Sequence, residues 1–181
     1  MDMQLKGTPM KKLLALGLAL GLTLAFTACG GTDKGGDADA LTVYEAGSVS
    51  IALPSDMQPV EASAGYTFQG EGTAVTVSDV QDVAESAADI TEDFFYSNAE
   101  NNGMSNVTVS GFANDVTMGS GTAAIATISG ETSSGKTVTI VMLCCFPAEN
   151  QMLVINLLYG TGAGTALEQN IEAVIDSIRL N

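Results

Sequence analysis

The chain has no histidine and no tryptophan, and only six lysines and arginines stand against 21 aspartates and glutamates. Without imidazole there is no Ser-His-Asp triad, no Cys-His pair and no HExxH zinc helix, since each uses a histidine as base or ligand. No cofactor motif is present either. The glycines of Gly160–Gly164 match neither GxGxxG nor GxxxxGK[ST] and have no lysine beside them, so they read as a loop before a helix cap. A formal charge of −15 gives no footprint for nucleic acid, which is bound through basic surface. Aromatics make up 6% of the residues while apolar types reach 46%, so the core must be built mostly from Val, Ile, Leu, Ala and Met.

What the chain does have begins near the N-terminus. Lys11 and Lys12 precede a 14-residue apolar stretch, Leu13–Phe26, followed by Thr27, Ala28, Cys29 and Gly30. A basic start, an apolar run and small residues make an export signal. At ~1.5 Å per residue the run spans about 21 Å, short of the ~30 Å hydrocarbon core that a permanent helix must cross. A cysteine at the cleavage point resembles a bacterial lipobox. That resemblance implies cleavage between Ala28 and Cys29 and a diacylglyceryl group on the Cys29 sulfur. It also implies an address on the outer face of the cytoplasmic membrane, or in the outer membrane of a diderm source. Residues 1–28 are then a signal peptide, with Met10 the expected true start because acidic Asp2 and Pro9 precede the lysines. Two acyl chains suffice for stable anchoring, so no second anchor is required.

From Cys29 onward three basic residues (Lys34, Lys136 and Arg179) meet 20 acidic ones, which leaves −17. Anionic lipid will not attract such a surface, and the lipid on Cys29 is the expected link to the membrane. Residues 29–40 hold glycines and aspartates with no apolar side chain larger than Ala, and read as a tether with a span of roughly 17–20 Å. One domain follows, residues 41–181.

Within it the apolar periodicity predicts strands over Ser48–Leu53, Tyr66–Phe68, Thr73–Ser78, Asn106–Phe112, Thr122–Ser129, Lys136–Phe146 and Met152–Tyr159. The last two are apolar on both faces and therefore central, and the short links between successive strands imply an antiparallel meander. Pro147 is placed for the turn between them. A first helix is expected from Ile90 to Asn101, capped by Asp89 or Thr91, with Ile90, Phe94, Phe95 and Ala99 near one face. A last helix opens on the capping box Thr165-Ala166-Leu167-Glu168 and runs to the chain end with Leu167, Ile171, Val174, Ile175 and Ile178 on one face, covering the central strands. Small Ala123, Ala124 and Ala126 allow an element to approach the sheet closely. The fold class is α+β: about six or seven antiparallel strands with a central meander, packed against two main helices.

The residues open to chemistry are few. Cys144 and Cys145 are adjacent in a strand, so their thiols should point to opposite faces and behave as small buried hydrophobes. Asp79, Asp82, Glu85, Asp89, Glu92 and Asp93 form an acidic segment with the oxygen ligands a divalent cation needs, though not in an EF-hand spacing; this is the alternative to a protein-binding role. Asn106-Val107-Thr108 matches a glycosylation sequon by chance. The expectation is a domain without catalytic or metal residues.

Several segments together resemble the PsbP-like and DcrB-like domains of small bacterial lipoproteins. Ser50-Ile51-Ala52-Leu53-Pro54 looks like their opening strand, Gly121-Thr122-Ala123-Ala124 like the start of a middle strand, Gly135–Phe146 with Gln151–Tyr159 like the long central hairpin, and Ile171–Leu180 like the closing helix. The resemblance spans roughly Leu41–Leu180. It implies a binding or assembly module without enzymatic activity; with the address given by the leader, the expected partner is an envelope protein.

Overall fold

The structure, a computed structural model, describes residues 40–181. The expected signal peptide, the Ala28–Cys29 junction and the rest of the tether lie outside them.

An eight-stranded antiparallel sheet forms the middle layer, with a helix on one face and a smaller sheet with two short helices on the other. The large sheet runs β3 (Gln58–Val60), β4 (Tyr66–Gly70), β5 (Thr73–Val77), β10 (Gln151–Gly160), β9 (Thr137–Ala148), β8 (Gly121–Glu131), β7 (Ser105–Met118), and a two-residue β6 (Gln81–Asp82) pairs with the start of β10. Its centre is the meander β7-β8-β9-β10, as the short links require. The small sheet has the order β1 (Leu41–Ala46), β2 (Val49–Pro54), β11 (Arg179–Leu180). The helices are α1 (Glu92–Asn101), preceded by a 3-10 turn over Ala87–Asp89, then α2 (Ala166–Gln169) and α3 (Ile171–Ser177).

Period-2 alternation on β9 and β10 divides their side chains between two cores. Val141, Leu143 and Cys145 with Leu153, Ile155 and Leu157 face β2 and the C-terminal helices, where Val49, Ile51, Leu53, Leu167, Val174 and Ile178 meet them. Ile140, Met142, Cys144, Met152 and Val154 face the other way, onto Ile90, Phe95, Ala99 and Met104. Two apolar faces explain why these strands carry almost no polar residue; each fully buried Leu or Ile contributes about 1.5–3 kcal/mol. Ala124 and Ala126 lie under α1 and the 3-10 turn, the close approach that small side chains allow.

The fold departs from the sequence expectation in four places. The strands number eleven in two sheets, because β1, β3, β6 and β11 are short or lie at sheet edges and show little alternation. Helix α1 begins at Glu92 with Thr91 as its cap residue, while Ser86 and Asp89 form a capping box around the separate 3-10 turn, so Ile90 lies between the two elements. Pro147 stays inside β9, and the hairpin turns on Glu149-Asn150, with Asn150 at φ 60°. Such two-residue hairpins favour asparagine where φ is positive.

The last helix is broken at Asn170, whose side-chain amide donates to the Ala166 carbonyl at 2.9 Å and closes α2. Helix α3 then stops at Ser177. The Ser177 hydroxyl donates to Val174 O (2.6 Å) and accepts from Ala52 N–H (2.8 Å). From Ile178 the chain is extended, and Arg179 and Leu180 pair with Ser50 and Val49. The edge of β2 offers backbone groups that would be costly to leave unpaired in the core, and this demand overrides the helical pattern of Ile178–Leu180.

Candidate functional site

The sequence-predicted residues do not converge. Cys29 and Ala28 lie outside the described residues. Cys144 and Cys145 are both fully buried and free, one in each core, as expected from adjacent strand positions. Burial pushes the Cys144 thiol up to about 12, and burial together with the neighbouring Cys144 raises Cys145 as well. A protonated, covered thiol is a poor nucleophile. Labelling of the folded protein with a maleimide is therefore expected to leave both thiols unmodified for as long as denatured protein takes to react completely, at least about 100-fold slower, because access requires opening of the core. Fast labelling of either thiol in the folded state would point to a cysteine-based activity instead.

The acidic segment is spread along a loop, strand β6, which carries Asp82, and two helical starts. Asp79 accepts from Gly65 N–H at 3.3 Å, and Glu85 accepts from Ala84 N–H at 3.2 Å. Asp89 accepts from the Ser86 hydroxyl (2.7 Å) and amide (2.9 Å), bonds that hold its carboxyl below the usual carboxylate range. Glu92 and Asp93 lie in the first turn of α1, where a helix N-terminus favours negative charge. Among the described residues no group of three or more His, Cys, Asp or Glu side chains is placed to hold a metal ion.

The loop Gly160–Gly164 is tied down by its own helix. Thr165 Oγ1 accepts from Glu168 N–H (3.2 Å), one half of the expected capping box. The Glu168 carboxylate turns away from the second half and accepts from Gly162 N–H (2.8 Å) and Gly164 N–H (2.7 Å). The backbone donors a phosphate would need are thus used internally. Asn106, in the sequon, is exposed on β7 with φ 52°.

One concave site was not legible in the sequence. A cleft of about 350 Å³ opens between the loop at Glu85-Ser86, the β7–β8 turn at Ser120 and the β9–β10 turn at Glu149-Asn150. Its floor is close-packed backbone: a side chain at Gly121 would drive Cβ into the Phe146 carbonyl oxygen. Ser120 Oγ is occupied, donating to Leu180 O at 2.8 Å. Its lining mixes the acidic Glu85 and Glu149 with apolar Ala84, Phe146, Pro147 and Ala148. Its three loops are far apart in the chain, so no local signal announces it.

No family model matches the chain, and no curated protein matches it in sequence. Solved structures do resemble it. The cyanobacterial PsbP protein (CyanoP) from Synechocystis sp. PCC 6803 superposes with a TM-score of 0.53 at 9% identity, over 85% of this chain and 98% of that one. LpqN, involved in cell envelope biogenesis of Mycobacterium tuberculosis, superposes with a TM-score of 0.55 at 15% identity, over 78% of this chain and 91% of that one. The arrangement of the central antiparallel sheet and its flanking layers is therefore the PsbP-like fold.

Proposed function

We propose that this protein is a lipid-anchored, extracytoplasmic accessory module that binds an envelope protein and carries out no catalysis of its own. The observation that carries the reading is the succession at the N-terminus: two lysines, a 14-residue apolar run, Ala28-Cys29, a Gly/Asp tether, and then a folded domain that begins at Leu41. A domain on such a tether would hold a partner near the membrane. The fold shared with LpqN and CyanoP supports an extracytoplasmic setting, and kinship with lipoproteins of the DcrB-like type belongs to the same proposal.

The test is a pair of measurements on the full chain. Photo-crosslinking from surface positions in the intact envelope is expected to give a discrete protein adduct. Thermal unfolding is expected to be unmoved by millimolar Ca²⁺ or Mg²⁺. A cation held at 100 times its dissociation constant adds about 2.7 kcal/mol, which for a domain of this size raises the midpoint by very roughly 8–10 °C. A rise of that order, with no adduct, would overturn the accessory-module reading in favour of a cation-binding one.

A further inference from the structure

The sheet edges of this domain are not treated alike. In the large sheet, β3 is three residues long with Pro59 at its centre, and β7 is broken by three register shifts, with Asn106, Gly111 and Asp115 at positive φ. Short length, proline and bulges are the usual devices that stop an edge from pairing with another chain. In the small sheet β11 has two residues. Strand β1 carries none of these devices. It has six residues, without proline or glycine, in unbroken register with β2 from Leu41↔Pro54 to Ala46↔Val49, and among the described residues it pairs with β2 only. Val43, at its middle, is 65% exposed, more than any other large apolar side chain described.

The register identifies which backbone groups are on offer. Ser55 N–H donates to Ala40 O at 3.1 Å, which makes Ala40 a hydrogen-bonded position facing β2. Alternation along an antiparallel strand then turns Thr42, Tyr44 and Ala46 toward β2 and leaves the N–H and C=O of Leu41, Val43 and Glu45 directed outward. Pro54, opposite Leu41, has no N–H to give, which agrees with this phase.

We propose that this edge is a docking site, where an extended, basic segment of a partner protein adds as a further antiparallel strand beside β1. The inference rests on the reading of the domain as a binding module and names its surface and the chemistry of its partner. Strand addition draws affinity from main-chain hydrogen bonds and selectivity from alternate side chains. The charge of the partner follows from the charge of the domain. Residues 40–181 hold seventeen acidic residues against Lys136 and Arg179, and Arg179 lies on the opposite edge of the small sheet. Glu45 is on β1 itself and Asp56 follows β2. A second copy would bring an equal negative charge to the same edge, whereas a lysine-bearing strand is drawn to it. The tether of the anchored protein would also enter at Leu41, so the edge would lie close to the membrane surface.

The test uses the ¹⁵N-labelled full chain in neutral detergent micelles and two acetylated ten-residue peptides, one alternating Lys and Val, the other alternating Glu and Val. At saturation the Lys-Val peptide is expected to slow hydrogen exchange at the Leu41, Val43 and Glu45 amides by at least about tenfold. Val43→Pro removes one outward N–H that β2 does not use. It should weaken the peptide about tenfold and leave the unfolding midpoint within about 2 °C. Glu45→Lys, which keeps the backbone intact, should weaken the Lys-Val peptide and strengthen the Glu-Val one. Absence of binding, binding that leaves those three amides unprotected, or equal protection by both peptides would overturn the proposal. Concentration-dependent protection of the three amides without peptide would assign the edge to a second copy instead. If Val43→Pro still yields the envelope adduct seen with the parent protein, the edge assignment falls and the accessory-module reading stands.

Discussion

Replacing Cys29 with serine is expected to abolish fatty-acid labelling of the protein and, once the leader is removed, to release the domain from the membrane fraction. One myristoyl chain binds a bilayer with a constant of only ~10⁴ M⁻¹, and a diacylglyceryl group supplies two chains. Membrane partitioning should therefore fall from stable anchoring to background. Three basic residues against 20 acidic ones leave anionic headgroups repulsive, and no described helix is long and apolar enough to cross a membrane. The measurement is metabolic labelling with an alkyne fatty acid, combined with mass spectrometry of the mature N-terminus and fractionation of the cells. Equal labelling of Cys29→Ser and its parent would sink the lipoprotein reading. So would a mature parent chain that does not begin at Cys29.

Phe95→Ala should cost about 3–5 kcal/mol of folding stability. Phe95 is fully buried beneath α1 and is one of the largest such side chains in the domain. Its ring packs edge-on against Phe94, with centroids 5.5 Å apart, and against Phe112 at 5.9 Å. Each aromatic pair adds about 0.5–1.5 kcal/mol beyond burial. Alanine would leave a cavity between α1 and the alanines of β8, a rigid floor that cannot collapse to fill it. The unfolding midpoint should fall by very roughly 10–20 °C. Tyr96, one residue on, is 41% exposed, and Tyr96→Ala should change stability by less than about 0.5–1 kcal/mol. Equal losses at the two positions would mean that α1 does not dock through the face assigned to it.

The elements that read well from sequence are those whose pattern reports one strong demand. Val141–Cys145 and Leu153–Leu158 are apolar at every position but Asn156, a pattern that only a strand covered on both faces satisfies, and both are central in the sheet. Phe95 and Ala99 fall on the buried face of α1 because helical spacing places them there. The C-terminal segment misleads for a physical reason. Leu167, Val174 and Ile178 are buried as their spacing predicts, yet they reach the core from α2, α3 and an extended residue in turn. Helical periodicity records which side chains must be buried. It does not record that β2 needs backbone partners at Val49 and Ser50, and those partners come from Arg179 and Leu180. Strand β1 is silent in the sequence for the opposite reason. An edge strand over solvent carries little apolar alternation, so Leu41–Ala46 shows no strand pattern although the domain opens there.

By itself the sequence determined what depends on composition and near neighbours. These are the absence of imidazole chemistry, the excess of negative charge, the divergence of two adjacent thiols, and an α+β domain built on an antiparallel meander. The tertiary structure alone decided what depends on contacts between distant segments. It split the strands into two sheets, turned the end of the last helix into β11, gathered three loops into a cleft, and left β1, among the described residues, as the one long edge without a bulge or proline. The division follows from range. Side-chain burial is written into local periodicity, whereas the pairing of backbone groups and the closure of clefts depend on partners that are distant in the chain.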